Sequence, residues 1–528
     1  MISRRRFAAG AATITFLHSA GRTAAAVSRF GAMPQYGAAP SSGAATQSGA
    51  PGQRATAVCA DGLPRWVAGL RTDLERMARE LTSRLHPWRG PSLVLHPEAF
   101  GHRPGNALST RAIQAAIDAV ARRGGGTVRL SHGDYVSGTL DLRSNTRLEV
   151  DKGARLLGSL HLADYPPRIA ARHTMMDVVT GVTQSLIFAQ GCRNIGLAGE
   201  GLIDGRGSRQ NFPGNESITG LPGRPFLIRV LDCRGVHVDG LHLKDSASWM
   251  QNYFNCEDLL IERLQVENQA NFNNDGVDID GCRHVIVRNC RINSEDDGIC
   301  FKGSSERPTE HVLVENCRIH STSNALKFGT DSEAPFRRVL ARNLELGGPA
   351  PGMRALRRRR AESGISWESV DGAVVEDLLA TDINIVRAES PLFLRLADRC
   401  RTRPGRPRPG PGKLRRIVYE RIRGDVNGPR GSYFLGMPDR PIEDVVISDL
   451  QLKVNAAQGP APDEHAVSEF EGVYPDAAMI GKLAPAYGLW TRHARNLTLH
   501  RVSFVPTAPD RRPMIETFDT TDLCPKAG

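Results

Sequence analysis

The sequence predicts an all-β chain wound as a parallel β-helix, and three observations lead there. Short β-branched runs recur, with Cys233-Arg234-Gly235-Val236-His237-Val238 echoed at Cys256, Cys282 and Thr309, at spacings of 23, 26 and 27 residues. Asp275-Gly276-Val277-Asp278-Ile279-Asp280 returns 22 residues later as Asp297-Gly298-Ile299-Cys300-Phe301-Lys302, and 27 further on as Asn324-Ala325-Leu326-Lys327-Phe328-Gly329. No amphipathic helical stretch separates these runs, so each coil is built of strands stacked in parallel on the next coil. A leucine-rich repeat would need Leu-x-x-Leu-x-Leu-x-x-Asn, which only Asn289-Cys290 and Asn316-Cys317 echo.

The elements follow in order. Ser3-Arg4-Arg5-Arg6-Phe7 and the weakly apolar run after it read as a twin-arginine export signal over residues 1–26, too short to span a bilayer. The protein is therefore expected to be exported, periplasmic or secreted, without stable membrane insertion. Residues 27–60, rich in Ala, Gly, Ser, Pro and Gln, cannot bury a core and read as a disordered linker. Trp66, Val67, Leu70, Leu74, Met77, Leu81 and Leu85 recur at helical spacing, predicting a helix within 61–90 that packs on the solenoid or caps its end. A second short helix spans Ile113 to Ala121 and stops at Gly124-Gly125-Gly126. One β-helical domain is expected over 91–520, with a tail at 521–528. Arg354 to Arg360 and Arg401 to Arg416 read as long exposed loops.

The net charge of +11 fits attraction to a polyanion, but the signal and the arginine-rich loops account for much of it. No nucleic-acid motif accompanies it. Several of the ten cysteines follow the coil repeat: Cys233, Cys256 and Cys282 stack at one turn, Cys290 and Cys317 at another. Stacked positions are near enough for a bridge, so geometry does not forbid one, but export in the folded state favours reduced thiols behaving as small hydrophobes. Neither Cys-x-x-Cys nor His-rich spacing appears, so no metal and no cofactor is expected. The chain is expected to act as a monomer.

Equivalent residues on successive coils lie roughly 4.8 Å apart. Alignment stacks Asp275, Asp297 and Asn324 in one column and Asn274, Asp296 and Ser323 in the next, so three carboxylates converge. With Val277, Ile279, Ile299, Phe301, Leu326 and Phe328 inward, alternation sends Asp278, Asp280, Cys300, Lys302 and Lys327 outward. A lone Asp-Gly is usually only a turn. Adjacent Asp296-Asp297 beside a third Asp is different, because like charges so close raise a pKa and cost stability. Carboxylates with unequal pKa values equip glycoside hydrolysis: about 6.5–9.5 Å apart for inversion, about 5–5.5 Å for retention. Sequence leaves that separation open.

The chain resembles glycoside hydrolase family 28, the polygalacturonase family, from about residue 97 to about 520. The resemblance rests on Ile113-Gln114-Ala115-Ala116-Ile117-Asp118, Gly199-Glu200-Gly201-Leu202-Ile203-Asp204-Gly205, Asn273-Asn274-Asp275 and Asp296-Asp297, with late segments Ser390-Pro391-Leu392-Phe393 and Pro485-Ala486-Tyr487-Gly488 like bacterial members. It implies a right-handed parallel β-helix, a helix capping the first coil, and cleavage of pectic polysaccharide with inversion. Asp296 would be the general acid, while Asp275 and Asp297 would hold and deprotonate water, with Asn273, Asn274 and Lys302 beside them.

Two family motifs are altered. Gly-His-Gly becomes Ser323-Asn324-Ala325, with His320 upstream at a turn or the surface, and Arg-Ile-Lys becomes Ser366-Trp367-Glu368. Glu368 would repel a uronate carboxylate there. Lys302 and Lys327 are candidates to restore the charge, and Trp249 and Trp367 either stack on a neutral sugar or sit in the core. Loops 346–364 and 400–414 would wall the groove and favour exo action. Two alternatives stand beside the hydrolase: a calcium-dependent lyase with a lysine base, and a non-catalytic glycan-binding solenoid.

Overall fold

The computed structural model describes residues 56–57 and 62–521, apart from 104, 106, 170–181, 216–222, 402–406 and 481–482. The expected signal, most of the expected linker and the tail beyond residue 521 lie outside the described residues. Within the stretch read as linker, Thr56–Ala57 pairs antiparallel with Ser503 and Val502.

The rest is a right-handed parallel β-helix whose coils carry three strands each. On the first sheet, Val277–Asp280, Ile299–Gly303, Asn324–Ser332 and Ala361–Ser369 stack in register, Val277 on Ile299, Leu326 and Ile365. Val277, Ile279, Ile299, Phe301, Leu326 and Phe328 point into one continuous core, as alternation requires.

The second sheet is apolar on both faces. Val285, Val312, Val339 and Leu378 line the interior, while Leu260, Ile286, Leu313, Leu340, Leu379, Val418 and Val446 form an outward column. Helix α1, Arg65–Arg84, lies along that column and buries Val67, Leu74, Met77, Ala78 and Leu81 against it. Each large side chain so covered contributes about 1.5–3 kcal/mol. Helix α2, Thr110–Arg122, puts Ile113, Ala116, Ile117 and Val120 into the main core and caps the first coil.

From the second sheet to the third the chain bends at one left-handed residue per coil: Asn289, Asn316, Asn343, Asp382 and Asp449, with φ of 57°, 56°, 53°, 57° and 54°. Asn and Asp tolerate that conformation through local hydrogen bonding. The residue after the bend turns inward, which is why Cys290 and Cys317 follow Asn. All eight described cysteines are buried free thiols, and the Cys256 amide donates to the Cys282 sulfur at 3.2 Å.

The arginines at 354–360 lie in a largely exposed loop, as expected, and four of them are paired: Arg354 with Asp245, Arg357 with Glu295, Arg358 with Glu362 and Arg360 with Glu389. The other insertion begins with an ion pair from Arg401 to Asp331, and its residues 407–411 are a mostly exposed loop. One expectation needs correction. His320 ends a strand, buried, at 3.0 Å from Glu345. The outer face of the first sheet is covered after Ser366 by the described residues of 455–487, whose Ala477, Ile480, Ala484 and Ala486 pack on Phe393, Tyr433 and Trp490. On another side 346–364 also borders the acids, with Arg357 against Glu295.

Candidate active site

The Asp-Gly pairs let neighbouring coils close tightly. A Cβ on Gly276 would come 2.5 Å from the Gly298 carbonyl, and one on Gly298 would come 2.5 Å from that of Ala325. With no side chain there, the Gly276 amide donates to the Asp297 carbonyl (2.9 Å) and the Gly298 amide to that of Asn324 (2.8 Å). The expected column Asp275, Asp297, Asn324 results. The Asp296 amide reaches the Asn274 carbonyl at 3.3 Å, giving the second column.

Three carboxylates converge where the first sheet begins, and their surroundings differ. Asp275 is buried; burial first, then Asp278 and Asp296, drives its carboxyl well above the ordinary range. Asp296 is half-buried, and burial together with the Asp297 charge raises it against the pull of Arg357, Lys327 and Lys302. Burial would also raise Asp297, but the Lys327 and Lys302 ammoniums and the Asn324 amide outweigh it, and its carboxyl is held below the usual range. Asn324 donates through Nδ2 (2.8 Å) and its backbone N–H (3.2 Å) to Asp297 Oδ1, and Lys327 Nζ lies 3.1 Å from Oδ2.

Lys302 serves a neighbouring acid. Its Nζ is 3.3 Å from Asp278 Oδ1 and 4.5 Å above the Trp249 ring. Asp278 is buried beside Asp275, its carboxyl pushed up to about 7 by burial. Asp280 is a structural anchor, accepting from the amides of Ser304 (2.9 Å) and Ser305 (3.0 Å).

Asn273 has φ of 54°, accepts from Arg224 (2.8 Å) and points Nδ2 at Asp296 Oδ2 (3.5 Å). Four of the remaining expected sugar contacts do other things. Asn274 is fully buried, accepting from the amides of Ala270 and Asn271 and donating to the carbonyls of Ser246 and Ser248. It builds the turn. Trp367 pairs with Phe328 in register and lies in the core, its ring 5.7 Å from that of Phe336. Trp249 is buried against Phe226 and Val182, supporting Lys302 from below. Glu368 is buried, accepts from the Ser366 hydroxyl at 2.5 Å and lies 4.0 Å from Lys327 Nζ; burial pushes it up to about 7.

Residues beyond those expected complete the surroundings. Glu295, buried and pushed up to about 7 by burial and the Asp296 charge, holds Arg357 next to the acid pair. Tyr474 comes from the covering segment, its ring 5.8 Å from Lys327 Nζ. Tyr474 carried no sequence signal, since it arrives from outside the coil repeat, whereas Glu295 directly precedes the Asp296-Asp297 pair and was open to notice. A carboxylate oxygen each of Asp275 and Asp297 and the Cys300 sulfur lie within 4.8 Å of one another. That trio has the donors for a cation, but the ammoniums of Lys302 and Lys327 already supply the positive charge there.

Residues 143–321 match the sequence profile of glycosyl hydrolases family 28. Among curated relatives, a probable polygalacturonase of Vitis vinifera is 27% identical over 208 residues, 38% of this chain and 42% of that protein. Exopolygalacturonase X-1 of Emericella nidulans is 29% identical over 192 residues, 34% of this chain and 41% of that protein. It is over residues 143–321 that the chain is similar to glycosyl hydrolases family 28. Its alignment thus spans about two fifths of the length of these relatives. The family segment ends at residue 321, just short of the altered Ser323-Asn324-Ala325. The fold extends further: an exopolygalacturonase of Thermotoga maritima superposes with a TM-score of 0.63 at 18% identity, covering 82% of this chain and 97% of that one. The family 28 exopolygalacturonase of Yersinia enterocolitica gives 0.62 at 18%, covering 82% and 79%.

Proposed function

We propose that this chain is an inverting glycoside hydrolase acting on pectic polysaccharide, with Asp296 as general acid and Asp297 as base. One observation carries the reading: of two adjacent carboxyls, Asp297 is held by Lys327 (3.1 Å) and Asn324 (2.8 Å), which favour its charge, while Asp296 has that charge beside it, which favours its proton. Such a pair keeps a proton on one group and a charge on its neighbour. Asp296 then protonates the leaving glycosidic oxygen while Asp297 takes a proton from the attacking water. Asp275, one coil back and with its carboxyl driven well up by burial, would hold that water together with Asp297. The polygalacturonase names of the relatives support a pectic substrate.

The lyase reading needs a neutral lysine. Burial works toward that at Lys302 and Lys327, but the surrounding carboxylates overcome it and hold both ammoniums charged. Export is inferred from Ser3-Arg4-Arg5-Arg6-Phe7 and the run that follows. Among the described residues no helix is long and apolar enough to cross a membrane.

The test is incubation with polygalacturonate, rhamnogalacturonan and neutral pectic side chains, with and without chelator, following reducing ends and product anomeric configuration. Inverted products should form in chelator, and Asp296→Asn should lower turnover by about 10²–10⁴-fold. An unsaturated, ultraviolet-absorbing product abolished by chelator would establish the lyase instead; no release from any glycan would leave a binding solenoid.

A further inference from the structure

Two buried lysines stand among the acids, and their partners divide cleanly. Lys302 is engaged with Asp278 and the Cys300 sulfur, at 3.3 Å each. Lys327 projects outward from the next coil, between Cys300 and Ser366 in register. Its side chain is 3% exposed, with Nζ 3.1 Å from Asp297 Oδ2 and 4.0 Å from Glu368 Oε1. Glu368 is fixed in turn by the Ser366 hydroxyl at 2.5 Å. The Tyr474 ring covers the ammonium from outside.

We propose that Lys327, braced by Glu368 and Ser366, is a positioning residue that keeps Asp297 in its charged form and does not itself grip the sugar. The inference rests on Asp297 being the base. Asp297 Oδ1 is saturated by two donors from Asn324, so Oδ2 is the oxygen left to meet water, and Lys327 touches that oxygen. A cation is needed because Asp297 is buried and burial works against its charge; the acids facing it are Asp275 and Asp278 on the preceding coil, Asp296 on the same turn and Glu368 two coils on. Against them stand Lys302 and Lys327, with Arg357 on the far side of Asp296 and Tyr474 over Lys327. An opposite charge within about 4–6 Å typically lowers a carboxyl by about 1–3 pH units. Glu368 completes the device: placed where it would repel a substrate carboxylate, it instead faces Lys327 and shares its charge.

The test compares Lys327→Met, Lys327→Arg and the double variant Lys327→Met/Glu368→Gln by the pH dependence of kcat/KM and by thermal unfolding. Lys327→Met leaves Glu368 buried without its cation and should lower the melting temperature. The double variant removes both charges and should recover melting temperature. Its acidic limb should nonetheless stay displaced upward by about 1–3 pH units, while Lys327→Arg returns the limb to its wild-type position. A folded double variant with an unmoved acidic limb would overturn the inference. So would a raised KM on polygalacturonate with an unchanged profile, which would make Lys327 a substrate contact. Asp297→Asn run alongside separates the two levels: wild-type turnover there would sink the base assignment itself.

Discussion

A guanidinium beside a general acid makes that acid easier to ionise. Arg357, held by Glu295, does this to Asp296, whose carboxyl burial and Asp297 otherwise raise. Activity should therefore fall as pH drops through the lowered Asp297 carboxyl and again as pH rises through the raised Asp296. Arg357→Met should move only the alkaline limb of kcat/KM, upward, because Asp296 then keeps its proton to higher pH; a limb that moves down would refute the assignment. The three acids were legible in sequence because coil register fixes which turn residues meet. Trp367 was legible too had the same register been carried one coil further, since it stacks on inward Phe328. Trp367→Ala should accordingly cost about 3–5 kcal/mol in urea unfolding, as a core truncation does, with little change in KM. The environments of Asn274 and Glu368 were not legible. Alternation tells which side of a strand a group takes, not which backbone atoms or charges wait there.

At the scale of elements, the recurring Asn before a core Cys is a bend and not a ligand. Asn316 at φ of 56° illustrates it. Asn316→Ala should destabilise by about 1–2 kcal/mol, the penalty of a left-handed conformation for an ordinary residue, whereas Asn316→Gly should cost less. Comparing the two by chemical denaturation tests conformation against side-chain contact. Helix α1 was predictable from its period, but its seat was not. The clue was the run Leu259-Leu260-Ile261, with apolar groups on both faces of a strand, which demands a cover outside as well as a core inside. Leu81→Ala, removing a buried contact with that column, should cost about 2–5 kcal/mol without altering the pH profile.

At the scale of the whole molecule, a β-helix offers an outer face that is open along its length, and a polysaccharide could cross it anywhere unless something interrupts the path. Here the interruption lies immediately beyond the candidate site. The outward column Asp278, Cys300, Lys327, Ser366 continues as Phe393, Tyr433 and Trp490. Those three rings would be a sticky exposed stripe if bare, and the described residues of 455–487 cover them, tied down by Arg395 donating to the Glu469 carbonyl (2.6 Å) and Arg492 to that of Val467 (3.0 Å). The aromatic column beneath is the trace this cover leaves in the sequence, and 346–364, expected to wall the groove, borders the acids as well through Arg357. A substrate chain meeting this wall must end there, so cleavage should proceed from chain ends. Viscosity of a polymeric substrate should then fall slowly relative to reducing-end release. Replacing residues 458–485 by a short linker, with Phe393, Tyr433 and Trp490 changed to Thr to keep the face soluble, should make viscosity fall much earlier in the reaction. A steep early fall with the intact protein would mean that the glycan passes the wall and that its path lies elsewhere on the sheet.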